Sequence, residues 1–259
     1  MKNLFKYMGL ASILLFGFYY TEKMSNIVIN NSSLVKEIQD NSEEYNVKSV
    51  SAIIEDDYII PGLNGYSVNV LKSYDNMRFL NTFNSYYLEY DIIKPSISIE
   101  NNKDKIIKYG NKNKNAVALI VENNNEIINY SKEKKISITR LVTLETYDKN
   151  AIFEQINNDS NNFSKLNSLL NNRNINKNIC YINENIKDVC IKEKNYLVES
   201  SLSLNNYNIA SIKENIKSGY IIYINDNVSL VDFKIIIRQI YYQDLDIINL
   251  SDLIKEERN

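Results

Sequence analysis

The chain contains no histidine and no tryptophan, and only 6 glycines, 2 prolines and 2 cysteines among its 259 residues. A missing imidazole removes the commonest metal ligand, the usual general acid or base at neutral pH, and every Ser–His or Cys–His nucleophile pair. The scarcity of glycine leaves little material for phosphate-cradling loops. Neither G-x-x-x-x-G-K-[ST] nor G-x-G-x-x-G occurs. Cys180 and Cys190 are too few for a disulfide framework, and with no histidine beside them they cannot complete a zinc site. Positive charge is not in surplus either: the net charge is −2. Such a balance is poorly suited to neutralising a phosphate backbone, so no nucleic-acid partner is expected. Asn, Ile, Lys and Tyr are abundant in their place, as AT-rich genomes encode. That bias can erase histidines only where function permits it.

Hydrophobic residues make up 44% of the chain and charged residues 24%, which fits a globular chain with a real core. At the N-terminus Lys2 and Lys6 precede an apolar run from Tyr7 to Tyr20, which stops at Glu22 and Lys23. A run of about 14 residues is short for a spanning helix, which needs roughly 17–25. It also fits the core of a signal peptide. No small-residue cleavage pattern follows it, because Phe18, Tyr19 and Tyr20 stand there. Residues 1–24 are therefore read as an uncleaved signal anchor, with a cleaved signal peptide as the alternative. The lysines place the N-terminal end in the cytoplasm and the rest outside the cell, as a single-pass membrane protein.

Residues 25–48 are polar, with Leu34, Val35 and Ile38 at helical spacing, and read as a stalk with one short helix. Residues 49–110 read as a small strand-rich module. Pro61-Gly62-Leu63-Asn64-Gly65 is its turn, Leu71 to Asn84 a short helix, and Tyr86 to Ile93 a strand. Residues 101–115 look like a polar linker interrupted by Ile106-Ile107. From residue 111 to 259 the pattern becomes regular. Apolar strands at Ala116–Val121, Ile136–Leu144, Ile179–Ile182, Tyr196–Leu204, Tyr220–Ile224 and Ile247–Leu250 alternate with helix candidates at Asn125–Lys132, Phe163–Leu170 and Leu230–Ile240. Such alternation predicts an α/β domain with a mainly parallel sheet or a barrel.

The order of these elements resembles the NodB-type polysaccharide deacetylases, carbohydrate esterase family 4. The clearest similarity is I-K-S-G-Y-I-I-Y-I-N-D, Ile216 to Asp226, against a family pattern like K-P-G-S-I-I-L-L-H-D. A helix and I-I-N-L-S-D-L-I, Ile247 to Ile254, follow in the family's order. V-A-L-I-V-E-N-N, Val117 to Asn124, stands where the family has V-A-L-T-F-D-D-G. E-Q-I-N-N-D-S-N-N, Glu154 to Asn162, stands where it has a histidine motif. The R-P-P-Y-G stretch expected near Cys180 to Asn185 lacks its Arg and Pro. The resemblance covers about residues 113–255 and implies a distorted (β/α) barrel.

It also implies a metal-dependent esterase, in which one Asp and two His hold the metal, a second Asp is the base and a late His is the acid. The metal lowers the pKa of its bound water and polarises the acetyl carbonyl. Carried over, the base position is Glu122, the metal positions are Asn123, Asn158 and Asn162, and the acid position is Asn225. A neutral amide does not replace imidazole for zinc, and Asn has no proton to give. The resemblance thus implies a degenerate pseudoenzyme with no metal cofactor, which retains a cleft for cell-wall or capsular glycan or serves as a scaffold. Two alternatives stand beside it. One is an active deacetylase with an oxygen-ligand site for Ca²⁺ or Mg²⁺ at Glu122, Asn123, Asp159 and Asp226. The other is an unrelated extracellular α/β interaction domain. Cys180 and Cys190 bridge if Ile179–Ile182 and Val189–Ile191 pair around Asn185, and are otherwise two small buried residues.

Overall fold

The computed structural model describes residues 7–8, 11–19, 31–171, 178–183, 186–205 and 216–258. Two compact units interleave in sequence: Met1–Lys48 with Gly65–Ile93, and Ser49–Asn64 with Lys94–Asn259. The strands in chain order are β1 (Ile53–Glu55), β2 (Tyr58–Ile60), β3 (Gly65–Val68), β4 (Tyr90–Ile93), β5 (Ile106–Ile107), β6 (Ala116–Val121), β7 (Thr139–Val142), β8 (Glu154–Asn157), β9 (Ile179–Tyr181), β10 (Tyr196–Val198), β11 (Leu202–Leu204), β12 (Ile221–Ile224) and β13 (Asp246–Ile248).

In the smaller unit the helix Ser33–Tyr45 turns Leu34, Val35 and Ile38 inward. Leu34 and Ile38 share a core with Met77 and Leu88, so this segment is part of a folded unit and not the stalk expected from its polarity. A second helix spans only Val70–Met77, started by the Asn69 side chain accepting from the Lys72 N–H. β3 and β4 pair antiparallel, and β4 begins only at Tyr90, after a single 3-10 turn at Ser85–Tyr87. At the N-terminus residues 7–8 and 11–19 are helical and exposed. Among the described residues no helix is long and apolar enough to cross a membrane, so the expected transmembrane helix is not found. Lys2, Lys6, Tyr20, Glu22 and Lys23 lie outside the described residues.

The larger unit holds two sheets. One has the order β1-β2-β5-β10-β9; the other has β11-β12-β6-β7-β8, with β13 also on β6. All pairings except β1–β2 are parallel. β1, β2 and β5 all precede residue 111, so a boundary there cuts through a sheet. Among the described residues no ladder joins β8 to β9 or β10 to β11, so the strands form two hydrogen-bonded sheets around a shared core and not one continuously hydrogen-bonded barrel. The chain changes sheets after β10: the Glu199 N–H donates to Ile107 O, whereas the Ser201 N–H donates to Ile221 O.

β6 is buried along its whole length, as a central parallel strand should be. Its residues alternate. Val117, Leu119 and Val121 face the helices with Ile127, Phe233 and Ile240. Ala116, Ala118 and Ile120 join a core drawn from both sheets, with Ile59, Ile107, Ile156, Val198 and Ile221. The helix Leu250–Ile254 closes one side of that core. The buried Lys114 ammonium donates to Asp252 O and Lys255 O at its end. Cys180 on β9 is disulfide-bonded to Cys190. Cys190 lies on the helix Lys187–Lys192 and not on the strand expected from Val189–Ile191, because Ile186 and Cys190 are buried one helical turn apart. Asn185 lies outside the described residues.

Candidate functional site

The alternation that builds the core also builds the site. Side chains two apart on a strand share a face. Continuing the inner-face rows past the apolar core gives Ile120 then Glu122, Ile156 then Asn158, Tyr181 then Asn183, Val198 then Ser200, and Tyr223 then Asn225. Each strand thus delivers a polar residue at its C-terminal end, where open parallel sheets place ligand sites.

Direct contacts join most of these. Glu122 accepts from Asn158 Nδ2 at 3.2 Å on Oε1 and from the Tyr223 hydroxyl at 3.0 Å on Oε2. Asn158 Oδ1 accepts from Asn183 Nδ2 at 2.9 Å. The Tyr223 ring stacks on Tyr181 with centroids 5.8 Å apart and planes at 18°. The Tyr181 hydroxyl donates to Ser200 Oγ at 3.0 Å. Burial, with the Glu122 charge next, pushes the Tyr223 hydroxyl well above the usual phenol range; burial raises Tyr181 too. Both stay protonated at any physiological pH.

The other residues singled out in the sequence do not join this contact. The Asn123 N–H donates to Asp226 Oδ1. Asn162 donates through Nδ2 to both oxygens of Asp159. Asn225 Oδ1 accepts from the Asn227 N–H in its own turn. Asp159 is buried and accepts from the N–H groups of Leu144, Asn161 and Asn162; the Leu144 bond is the chief reason its carboxyl titrates below the usual range. Of the five family positions, then, the structure brings only Glu122 and Asn158 into contact. Tyr223, Tyr181, Asn183 and Ser200 were missed in the sequence. The signal available for Tyr223 was a single tyrosine in the aliphatic run Ile221–Ile224.

The donor set does not fit the metal that the family pattern implies. Asn158 presents its NH₂ to Glu122 and has its oxygen engaged by Asn183, so neither end is offered to a cation. The proposed Ca²⁺ or Mg²⁺ set fares no better. Asp159 is committed to backbone N–H groups and Asp226 to Asn123, and among the described residues no three Cys, Asp or Glu side chains are grouped to hold an ion.

The chain has an α/β fold similar to that of carbohydrate esterase family 4 structures. It overlaps wild-type BA3943 of Bacillus anthracis, a carbohydrate esterase family 4 pseudoenzyme, with a TM-score of 0.56 and 18% identity, over 87% of this chain and 96% of that one. A BA3943 mutant with restored enzymatic activity overlaps with a TM-score of 0.57 and 19% identity, over 87% and 99%. Among curated proteins, the uncharacterized protein YlxY of Bacillus subtilis (strain 168) is 32% identical over 96 residues, which span 37% of this chain and 30% of YlxY. No protein-family model matches the chain.

Proposed function

We propose that this protein is a surface-exposed, membrane-anchored pseudoenzyme that binds cell-envelope glycan at the C-terminal ends of β6, β8, β9 and β12 and does not turn it over. The observation carrying this reading is the Glu122 carboxylate bound by two neutral donors, Asn158 and Tyr223, where a deacetylase would need a metal beside its base. A base without an activated water gives little rate. The half-buried tyrosine rings beside amide and hydroxyl groups suit a sugar ring, which has apolar faces and a polar rim. The Cys180–Cys190 disulfide favours an oxidising compartment, independently of the N-terminal apolar run.

The test is made on the purified chain after Glu22. It should carry no stoichiometric zinc, cobalt or nickel, release no acetate from acetylated oligosaccharides above a buffer blank, and be retained on insoluble peptidoglycan. Turnover that a chelator abolishes would sink the pseudoenzyme reading. Retention no greater than that of an unrelated acidic protein would leave a scaffold for protein partners.

A further inference from the structure

Glu122 has two tethers of different origin. Asn158 stands at a position where the family pattern has a metal ligand. Tyr223 stands at none of the family's catalytic or metal positions, yet it reaches the other carboxylate oxygen. It is also well held. Its backbone lies in β12 opposite Ile120 of β6, its ring is stacked on Tyr181, and Tyr181 is fixed in turn by Ser200. Its hydroxyl is a donor, since a phenol is protonated at neutral pH and burial raises it further.

We infer that Tyr223 is a second, independent block on catalysis, a positioning residue that holds the Glu122 carboxylate against its own hydroxyl and off the direction of a water it would have to deprotonate. The inference rests on the deacetylase-derived reading of Glu122. A general base must direct an oxygen at its proton within hydrogen-bond reach. Replacing Asn158 by a metal ligand frees Oε1 but leaves Oε2 on Tyr223, so the direction in which the freed oxygen points is still set by the Tyr223 hydroxyl.

Two measurements test this. The first is a double-mutant cycle, Glu122→Ala with Tyr223→Phe, read by urea unfolding. The tether predicts a coupling of about tenfold or more in the unfolding equilibrium constant, as for a hydrogen bond to a charged acceptor. Additive effects would overturn it. The second adds Tyr223→Phe to the Asn123→Asp, Asn158→His, Asn162→His background. Cobalt affinity, followed by visible absorption, and KM for an acetylated oligosaccharide should stay within about twofold, while kcat rises about tenfold or more. Equal kcat with cobalt bound in both proteins would overturn the inference. A background that binds no cobalt counts against the deacetylase-derived reading, and the cycle then decides the tether alone.

Discussion

Lys114 carries an ammonium group into the interior, where it binds two carbonyls at the end of the helix Leu250–Ile254. Burial, with the charge of Lys255 second, pushes it down to about 8, against about 10.4 for an unfolded lysine. Below about 8 both states are protonated and the whole cost of burying the charge is present. Between about 8 and 10.4 the folded chain loses its proton first, so this group makes the protein more stable as pH rises. The urea midpoint at pH 9.5 relative to pH 7.5 should therefore rise more in the wild type than in Lys114→Met. Equal pH dependence in the two proteins would show that Lys114 titrates normally. At this scale the sequence was partly readable. Glu122 and Asn158 were visible only through the resemblance, as positions carried over from the deacetylase motifs. Tyr223 was not, since a tyrosine in a strand reads as core until its hydroxyl is seen to reach a carboxylate 101 residues away.

The helix Lys187–Lys192 is short and would be marginal alone. It is pinned to β9 by the Cys180–Cys190 bridge and by Ile186 and Cys190 packing with Leu197 and Phe163. Closing so small a loop contributes about 2–3 kcal/mol by chain entropy. Thermal unfolding should accordingly fall by several degrees in the Cys180→Ser, Cys190→Ser pair, and reductant should have no further effect on it. An unchanged midpoint would mean the packing alone holds the helix. The long apolar strand Ala116–Val121 and the helix Leu230–Tyr242 were legible because period and length agree. β5 was taken for an interruption in a linker. Two residues carry no period, and only its neighbours β2 and β10 make Ile106-Ile107 the middle of a sheet. Lys187–Lys192 was left open for the related reason that Val189 and Ile191 favour strands locally while the helical spacing of Ile186 and Cys190 decides the outcome.

At the scale of the molecule, the sequence boundary at 110/111 separates strands that belong together. A fragment of residues 111–259 would lack β1, β2 and β5 and remove Ala52, Ile59, Ile99 and Ile107 from the core between the sheets. It should show no cooperative melting transition and should bind a hydrophobic dye, whereas residues 31–259 should melt cooperatively. A cooperative transition in the short fragment would mean the first sheet is dispensable. The same connectivity sets a timetable for synthesis. The smaller unit is complete when Ile93 has been made. The β1–β2 hairpin finds its first parallel neighbour at Ile106, but that two-residue strand is itself covered only by β10 at Tyr196. At roughly 5–20 residues per second, the hairpin waits on the order of 10 s with one sheet edge open. A nascent chain in that interval is the form most exposed to mispairing with its neighbours on the same messenger, and is where a chaperone would have the most to do.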